Sequence, residues 1–262
     1  MDKSISVRLN ECLKELHLPT VRSCYSESAE SAARESLGYT EFLLGLLEAE
    51  CAERRQNRID RLLRESKLPL EKSMECFDTT RLPMKVLQQV RSLLDGSFVD
   101  RRENVLAFGN PGSGKTHLLC AVCQELIRQG RKILYTTSSI LVQELLISKR
   151  DLLLPKALKK LSSYDVLMID DLGYVQQSRE EMEVLFTLLA DRYERGSVMI
   201  TSNLPFSGWE SIFKDPMTTA AAIDRLVHHS IILELNLASF RIEHAKRDKQ
   251  AEDIPDEEKR EK

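Results

Sequence analysis

Glycine and proline are scarce in this chain, 10 and 8 among 262 residues, too few for a collagenous, Gly/Pro-rich or turn-dense all-β protein. A helix-rich globular chain is the expectation. Long apolar runs are also missing: Phe42 to Leu47, interrupted by Gly45, falls far short of the roughly 20 residues that a membrane span requires. The N-terminus carries Asp2, Lys3 and Arg8 without an apolar segment, so no secretory signal is read there. Neither sign of charge dominates. Lys and Arg number 38 against 41 Asp and Glu, a net charge of −3, so no global positive field draws the chain onto nucleic acid and any such contact needs a local basic patch. The six cysteines lack a metal-binding pattern: only Cys120 and Cys123 have C-x-x-C spacing, and without a matching pair a zinc site lacks half its ligands. Three apart on a helical stretch, they read as core packing, and reduced thiols suit a reducing compartment.

What is present falls into two parts. Residues 1–70 have helical periodicity, clearest from Tyr39 to Leu63, where Thr40 and Glu41 precede a stripe of Phe42, Leu43, Leu46 and Leu47. Arg54, Arg58, Arg61 and Arg64 follow at spacings that line one helix face. Two readings stand for that face, a solvated surface balanced by Glu48, Glu50 and Glu53, or a stripe that meets phosphates or a partner. Residues 71–103, with Pro83 and Phe77, read as a linker leading into the second part. Over 104–241, short apolar segments alternate with helical ones: Val105–Phe108, Lys132–Thr136, Asp165–Asp170, Val198–Ser202 and Ser230–Leu235 as strands, Lys115–Arg128 and Arg179–Arg195 as helices. This order predicts an α/β fold, a parallel sheet with crossover helices preceded by a small all-helical domain. In the second helix Met182, Leu185, Phe186 and Leu189 form the buried stripe, and Arg192 and Arg195 are expected to complement its C-terminal dipole. Residues 242–262, rich in charge and poor in apolar anchors, are expected to be a disordered tail.

The strongest chemical signal is Gly109-Asn110-Pro111-Gly112-Ser113-Gly114-Lys115-Thr116, a complete G-x-x-x-x-G-K-[ST] between a predicted strand and a predicted helix. Glycines let backbone N–H groups turn inward around a phosphate at the positive end of a helix. Lys115 is expected to reach the β and γ phosphates, and the Thr116 hydroxyl to coordinate Mg2+. A second element, Val166-Leu167-Met168-Ile169-Asp170-Asp171, is an apolar strand ending in two acids. Asp170 suits the metal shell and Asp171 suits polarising the attacking water, the other reading being a strand-end turn and helix cap. Together the two elements specify an ATPase or GTPase core.

The run G-N-P-G-S-G-K-T-H-L, then V-L-M-I-D-D-L-G-Y, T-S-N-L-P-F-S-G-W and A-A-A-I-D-R-L-V-H-H resembles the IstB-like branch of the AAA+ ATPases, helper ATPases of bacterial insertion sequences. The resemblance covers nearly the whole chain, including F-L-L-G-L-L-E-A-E near the N-terminus. It implies a cytoplasmic bacterial protein with an AAA+ P-loop core that uses ATP and Mg2+, forms an ATP-dependent homo-oligomer on double-stranded DNA largely independently of sequence, and stimulates a separate transposase. A helicase loader of the DnaC type, binding single-stranded DNA and a replicative helicase, is the alternative. Position by position, the resemblance makes Asn203 the sensor that holds the lytic water, Arg225 an arginine finger offered to a neighbouring subunit, and Arg241 a second phosphate contact. At Arg241 the chain departs from the family, with no preceding glycine and Phe240 in place of Tyr. A second basic stretch, Lys149, Arg150, Lys156, Lys159 and Lys160, follows the second core strand, where related initiators carry an extra helix. Its residues are proposed phosphate contacts or a solvated face.

Overall fold

A computed structural model describes residues 3–173, 178–205, 208, 209, 223, 224 and 226–240. The chain forms two compact units, Met1–Arg61 and Leu62–Lys262. Among the described residues no helix is long and apolar enough to cross a membrane.

The first unit contains α1 (Lys3–Glu15), α2 (Pro19–Glu35) and most of α3 (Tyr39–Ser66). Leu13, Val21, Tyr25 and Leu46 form its small core, with Leu18, Cys24 and Phe42 packed against it. Pro19 occupies the first turn of α2, where its missing N–H costs nothing, but the residue before it, Leu18, has no side chain that could cap the helix. Glu50 of α3 caps it instead. Its Oε2 accepts the N–H groups of Thr20 at 2.9 Å and Val21 at 3.1 Å, and its Oε1 accepts Arg54 Nε at 2.8 Å. Burial acts to raise the Glu50 pKa, but the Arg54 guanidinium and the two amides outweigh it and hold the carboxyl below its usual range.

The second unit is built on a wholly parallel five-stranded sheet of β1 (Asn104–Phe108), β2 (Ile133–Thr137), β3 (Val166–Leu172), β4 (Ser197–Ser202) and β5 (Ser230–Glu234), in the order β2-β3-β4-β1-β5. The strands fall on the five expected segments, with ends moved by a residue or two. Every residue of β1 and β4 is buried, which is why these strands read as continuous apolar runs rather than as alternating ones. Helices α6 (Lys115–Arg128), α7 (Ser138–Arg150), α8 (Leu154–Ser162) and α9 (Arg179–Arg192) supply the crossovers and cover, while α4 (Met84–Leu94) and the short α5 (Ser97–Asp100) precede β1. Cys120 and Cys123 are fully buried on α6 against sheet sulfurs, Cys123 Sγ lying 3.8 Å from Met168 Sδ and 3.6 Å from Met199 Sδ. Burial pushes the Cys120 thiol up to about 12, so both cysteines act as small apolar residues in the core.

Helix α9 begins with a capping box between Ser178 and Glu181 and buries Met182, Leu185 and Leu189 of the expected stripe, whereas Phe186 is only partly buried. Its end differs from the sequence reading. Arg192 does not sit at the surface beside the helix dipole but is 2% exposed, with Nη1 donating to the carbonyls of Leu161 and Tyr164 and Nη2 to those of Asp165 and Ser197. Burial pulls its pKa down to about 10. Arg195 pairs with Asp191 at 3.2 Å. Arg192 thus ties the C-terminus of α9 and α8 to the starts of β3 and β4, and a methionine there would remove a charged donor from four carbonyls, of which Leu161 O and Asp165 O keep backbone partners in the N–H groups of Tyr164 and Ser197. Arg192→Met is expected to cost about 3 kcal/mol, and a thermal melt should show Tm lower by roughly 6 to 12 °C. An unchanged Tm would reduce these four bonds to incidental contacts.

Candidate active site

Three adjacent strands, β3, β4 and β1, end on the same edge of the sheet, and the side chains picked out by the motifs gather there. This is the carboxyl edge, where open parallel sheets bind ligands. Beyond Phe108 the chain turns through Gly109 (φ 150°) and Gly112 (φ 78°) to Gly114 (φ 94°), which caps α6. The glycines are required sterically. A Cβ on Gly109 would strike the Leu235 carbonyl, one on Gly112 the Ser239 side chain, and one on Gly114 would lie 3.0 Å from the Phe77 ring. The first-turn amides of α6 face the same loop and give it a positive end.

Lys115, 5% exposed, donates from Nζ to the carbonyls of Gly109 at 2.8 Å and Asn110 at 2.9 Å. Ser113 is 2% exposed and among the described residues its Oγ has no hydrogen-bond partner, an orphaned polar atom that costs on the order of 1–3 kcal/mol until something bonds to it. A tight glycine cradle, a lysine and an orphaned hydroxyl suit a phosphate-bearing ligand. Asn110 and Pro111 form the outer part of the loop, and Pro111 lines the cavity.

Asp170 lies near the end of β3, 4% exposed. Its Oδ1 accepts the hydroxyls of Thr116 at 2.7 Å and Thr201 at 2.5 Å, and its Oδ2 accepts Tyr135 Oη at 3.0 Å. Burial, then the charge of Asp170, pushes the Tyr135 phenol well up, which keeps it a donor at neutral pH. A hydroxyl and a carboxylate side by side form the kind of oxygen pair that holds a hard divalent cation whose other positions go to phosphate and water. Asp171 is exposed and has φ 57°. The register of β3 on β4 shifts between Ile169 and Leu172, and such a bulge re-aims the side chain that follows. The Asp171 N–H donates to Thr201 Oγ1 at 2.9 Å, so Thr201 links the two acids. Asn203, one residue past β4, lines the same cavity.

The cavity measures about 550 Å3, within the range of small-ligand sites. The stretch that sequence reading treats as a linker does more than connect, because Lys72, Cys76, Phe77, Asp78 and Arg81 form one of its walls. Two side chains of α6 hold that wall. The Gln124 amide donates to the carbonyls of Pro69, Leu70 and Lys72 at 3.1–3.3 Å, and His117 Nε2 lies 2.9 Å from Ser73 O. Opposite, Phe240 N–H donates to Gly112 O at 3.0 Å, and Arg81 donates to Ala238 O at 3.0 Å with its guanidinium 5.3 Å from the centre of the Phe240 ring. The one sequence signal for this wall is Gln124, a polar residue amid the buried positions of α6. Tyr135 and Thr201 carry none, since each sits in an apolar strand.

The basic residues are distributed unevenly. Lys149 pairs with Glu183 and Arg150 with Asp151, each at 2.9 Å. Lys156, Lys159 and Lys160 are exposed on α8, whose Leu154, Ala157, Leu158 and Leu161 face the core. In the first unit Arg54 is occupied by Glu50 and the His17 carbonyl, whereas Arg58 and Arg61 are exposed. Arg225, Arg241 and the tail 242–262 lie outside the described residues.

With this geometry in place, the comparison with known proteins decides the family. The profile of the family described as IstB-like ATP binding protein matches residues 11–248. The chain belongs to this family. It is 43% identical over 235 residues to an insertion-sequence ATP-binding protein of Sinorhizobium fredii, covering 89% of this chain and 79% of the relative. A similar relative from an insertion sequence of Geobacillus stearothermophilus is 39% identical over 235 residues, 90% of this chain and 94% of the relative. Among solved structures, the DnaC helicase loader superposes with a TM-score of 0.54 at 17% identity, over 63% of this chain and 96% of that one. DnaA from Aquifex aeolicus bound to AMPPCP superposes at 0.55 and 17% identity, over 72% of this chain, which spans only 57% of that protein. At such identities the likeness shows the fold alone, the AAA+ arrangement. The IstB-like chain accordingly joins an ATP-binding P-loop core to the fold of these neighbours.

Proposed function

We propose that this IstB-like ATPase is the ATP-dependent helper of a transposition system: it binds Mg-ATP in the cavity above β3, β4 and β1, assembles on duplex DNA, hydrolyses ATP and stimulates a separate transposase. The observation that carries the reading is the Asp170 carboxylate on the Thr116 hydroxyl at the head of the phosphate loop, in a chain whose relatives are named as insertion-sequence ATP-binding proteins. A cytoplasmic bacterial setting accompanies it.

The residues divide the work as follows. Backbone N–H groups along Gly109 to Thr116, all but that missing at Pro111, cradle the phosphates, and Lys115 moves its ammonium from loop carbonyls to phosphate oxygens. Thr116 and Asp170 hold Mg2+, which when bound neutralises charge on the β and γ phosphates. Asp171 takes the proton of the attacking water and Asn203 orients that water, its amide able to donate and accept at once. By family resemblance, Arg225 comes from a neighbouring subunit to stabilise the transferring phosphoryl group, and Arg241 adds a second phosphate contact. Lys156, Lys159 and Lys160, on one exposed face of α8, are the strongest candidates for DNA phosphates. Lys149 and Arg150, already paired with acids, and Arg54, Arg58 and Arg61 rank below them.

Binding to duplex and single-stranded DNA of equal length, with and without ATP at fixed salt, tests the reading. ATP-dependent, cooperative preference for duplex is expected, and preference for single strands would favour the helicase-loader reading. Reversing Lys156, Lys159 and Lys160 to Glu should weaken duplex binding by at least about tenfold and flatten its salt dependence by up to about three phosphate contacts. An unaltered salt slope would leave the α8 lysines as a solvated face.

A further inference from the structure

The Asp170 carboxylate is held unevenly. Both threonine hydroxyls, of Thr116 and Thr201, donate to Oδ1, and among the described residues Tyr135 is the hydroxyl donor to Oδ2. Its position follows from the strand register. Thr137 of β2 pairs with Asp170 and Tyr135 with Met168, so Tyr135, two residues before Thr137, projects from the same face of the sheet as Asp170 and reaches it along the diagonal. A long side chain is needed to span that diagonal, and the hydroxyl at the tip of Tyr135 donates at the end of it.

We infer that Tyr135 is a positioning residue for Asp170, which it holds in the orientation that lets the carboxylate and the Thr116 hydroxyl receive a divalent cation together. The torsion that turns a carboxylate about its own axis is broad and nearly two-fold. Two donors on one oxygen leave the other free to swing, and a third donor on the second oxygen fixes the plane. Groups that orient a metal-holding carboxylate in this way change metal affinity about 10–100-fold when removed. The inference rests on the reading of Asp170 and Thr116 as the residues that hold Mg2+, and it adds to that reading a residue from β2, a strand that carries none of the sequence motifs.

The test compares the affinity of the full chain for a non-hydrolysable ATP analogue in EDTA with its affinity in saturating Mg2+, the ratio of the two being the gain due to the ion. For Tyr135→Phe, which keeps the ring and its packing, the affinity in EDTA should stay within about twofold of the parent while the Mg2+ gain shrinks about tenfold. A full Mg2+ gain in Tyr135→Phe would overturn the inference. So would equal loss of affinity with and without Mg2+, which would make the tyrosine a general support of the fold. Asp170→Asn separates the two levels. If Asp170→Asn loses the gain and Tyr135→Phe keeps it, the inference alone fails; if Asp170→Asn also keeps the gain, the metal reading of Asp170 falls and takes the inference with it.

Discussion

Lys115→Ala is expected to weaken ATP binding by about 100-fold or more, which at ~1.4 kcal/mol per tenfold is roughly 3 kcal/mol. The ammonium is nearly enclosed, 5% exposed, and satisfied by the carbonyls of Gly109 and Asn110. Those carbonyls hold it at the mouth of the glycine cradle, so phosphate oxygens can replace them as partners without the charge crossing any distance. Removing the side chain takes away the one cation that the phosphate loop itself contributes, and truncating one member of a buried charged pair costs about 2–5 kcal/mol. Calorimetric titration with ATP and Mg2+ reads the effect directly. Affinity within threefold of the parent would show that the helix amides and the cation suffice and that Lys115 acts later, on the transition state.

Arg225→Ala should behave in the opposite sense, with ATP affinity nearly intact and the hydrolysis rate down by about 10³, the lower end of what arginine fingers supply. A finger offered to a neighbour touches the nucleotide of another subunit, so its loss spares the subunit's own cradle. Mixing makes the test sharper. Lys115→Ala subunits, expected to bind ATP about 100-fold more weakly, would still offer the proposed finger Arg225, and Arg225→Ala subunits would hold ATP but lack it. A mixture of the two inactive variants should recover part of the hydrolysis rate, because each subunit type then supplies what its neighbour lacks. Failure of the mixture to exceed the sum of the two separate rates would rule out action in trans, as would equal loss of binding and hydrolysis in Arg225→Ala alone.

The two acids at the end of β3 show how far a linear reading reaches. Asp170 and Asp171 are neighbours in sequence, and an apolar strand ending in two acids is enough to single them out. Their difference in environment is not legible there. Asp170 is 4% exposed and takes three hydroxyl donors, whereas the register shift and the positive φ turn Asp171 outward. Thr201 bonds to both, through its hydroxyl to Asp170 and through its oxygen to the Asp171 N–H, yet in sequence it is one residue of an apolar strand. Arg192 makes the same point within the fold. At the end of an amphipathic helix an arginine reads as a surface complement to the dipole, and only the gathering of four carbonyls from the end of α8 and the starts of β3 and β4 brings it inside.

Local pattern by itself determined the parallel α/β core, the five strand segments, the ends of α6 and the phosphate loop, because each is set by periodicity or by glycine spacing within a few neighbouring residues. It also determined the family, since four separated motifs occur in a fixed order. The tertiary structure alone decided what depends on distant residues meeting. It placed residues 72–81 against the phosphate loop through Gln124 and His117, brought Tyr135 to Asp170 across the strand pair, and left Lys156, Lys159 and Lys160 exposed while acids took up Lys149 and Arg150. Periodicity can say which face of an element is buried, but the partner that a polar group finds there is settled by strand order and register, which join residues tens of positions apart.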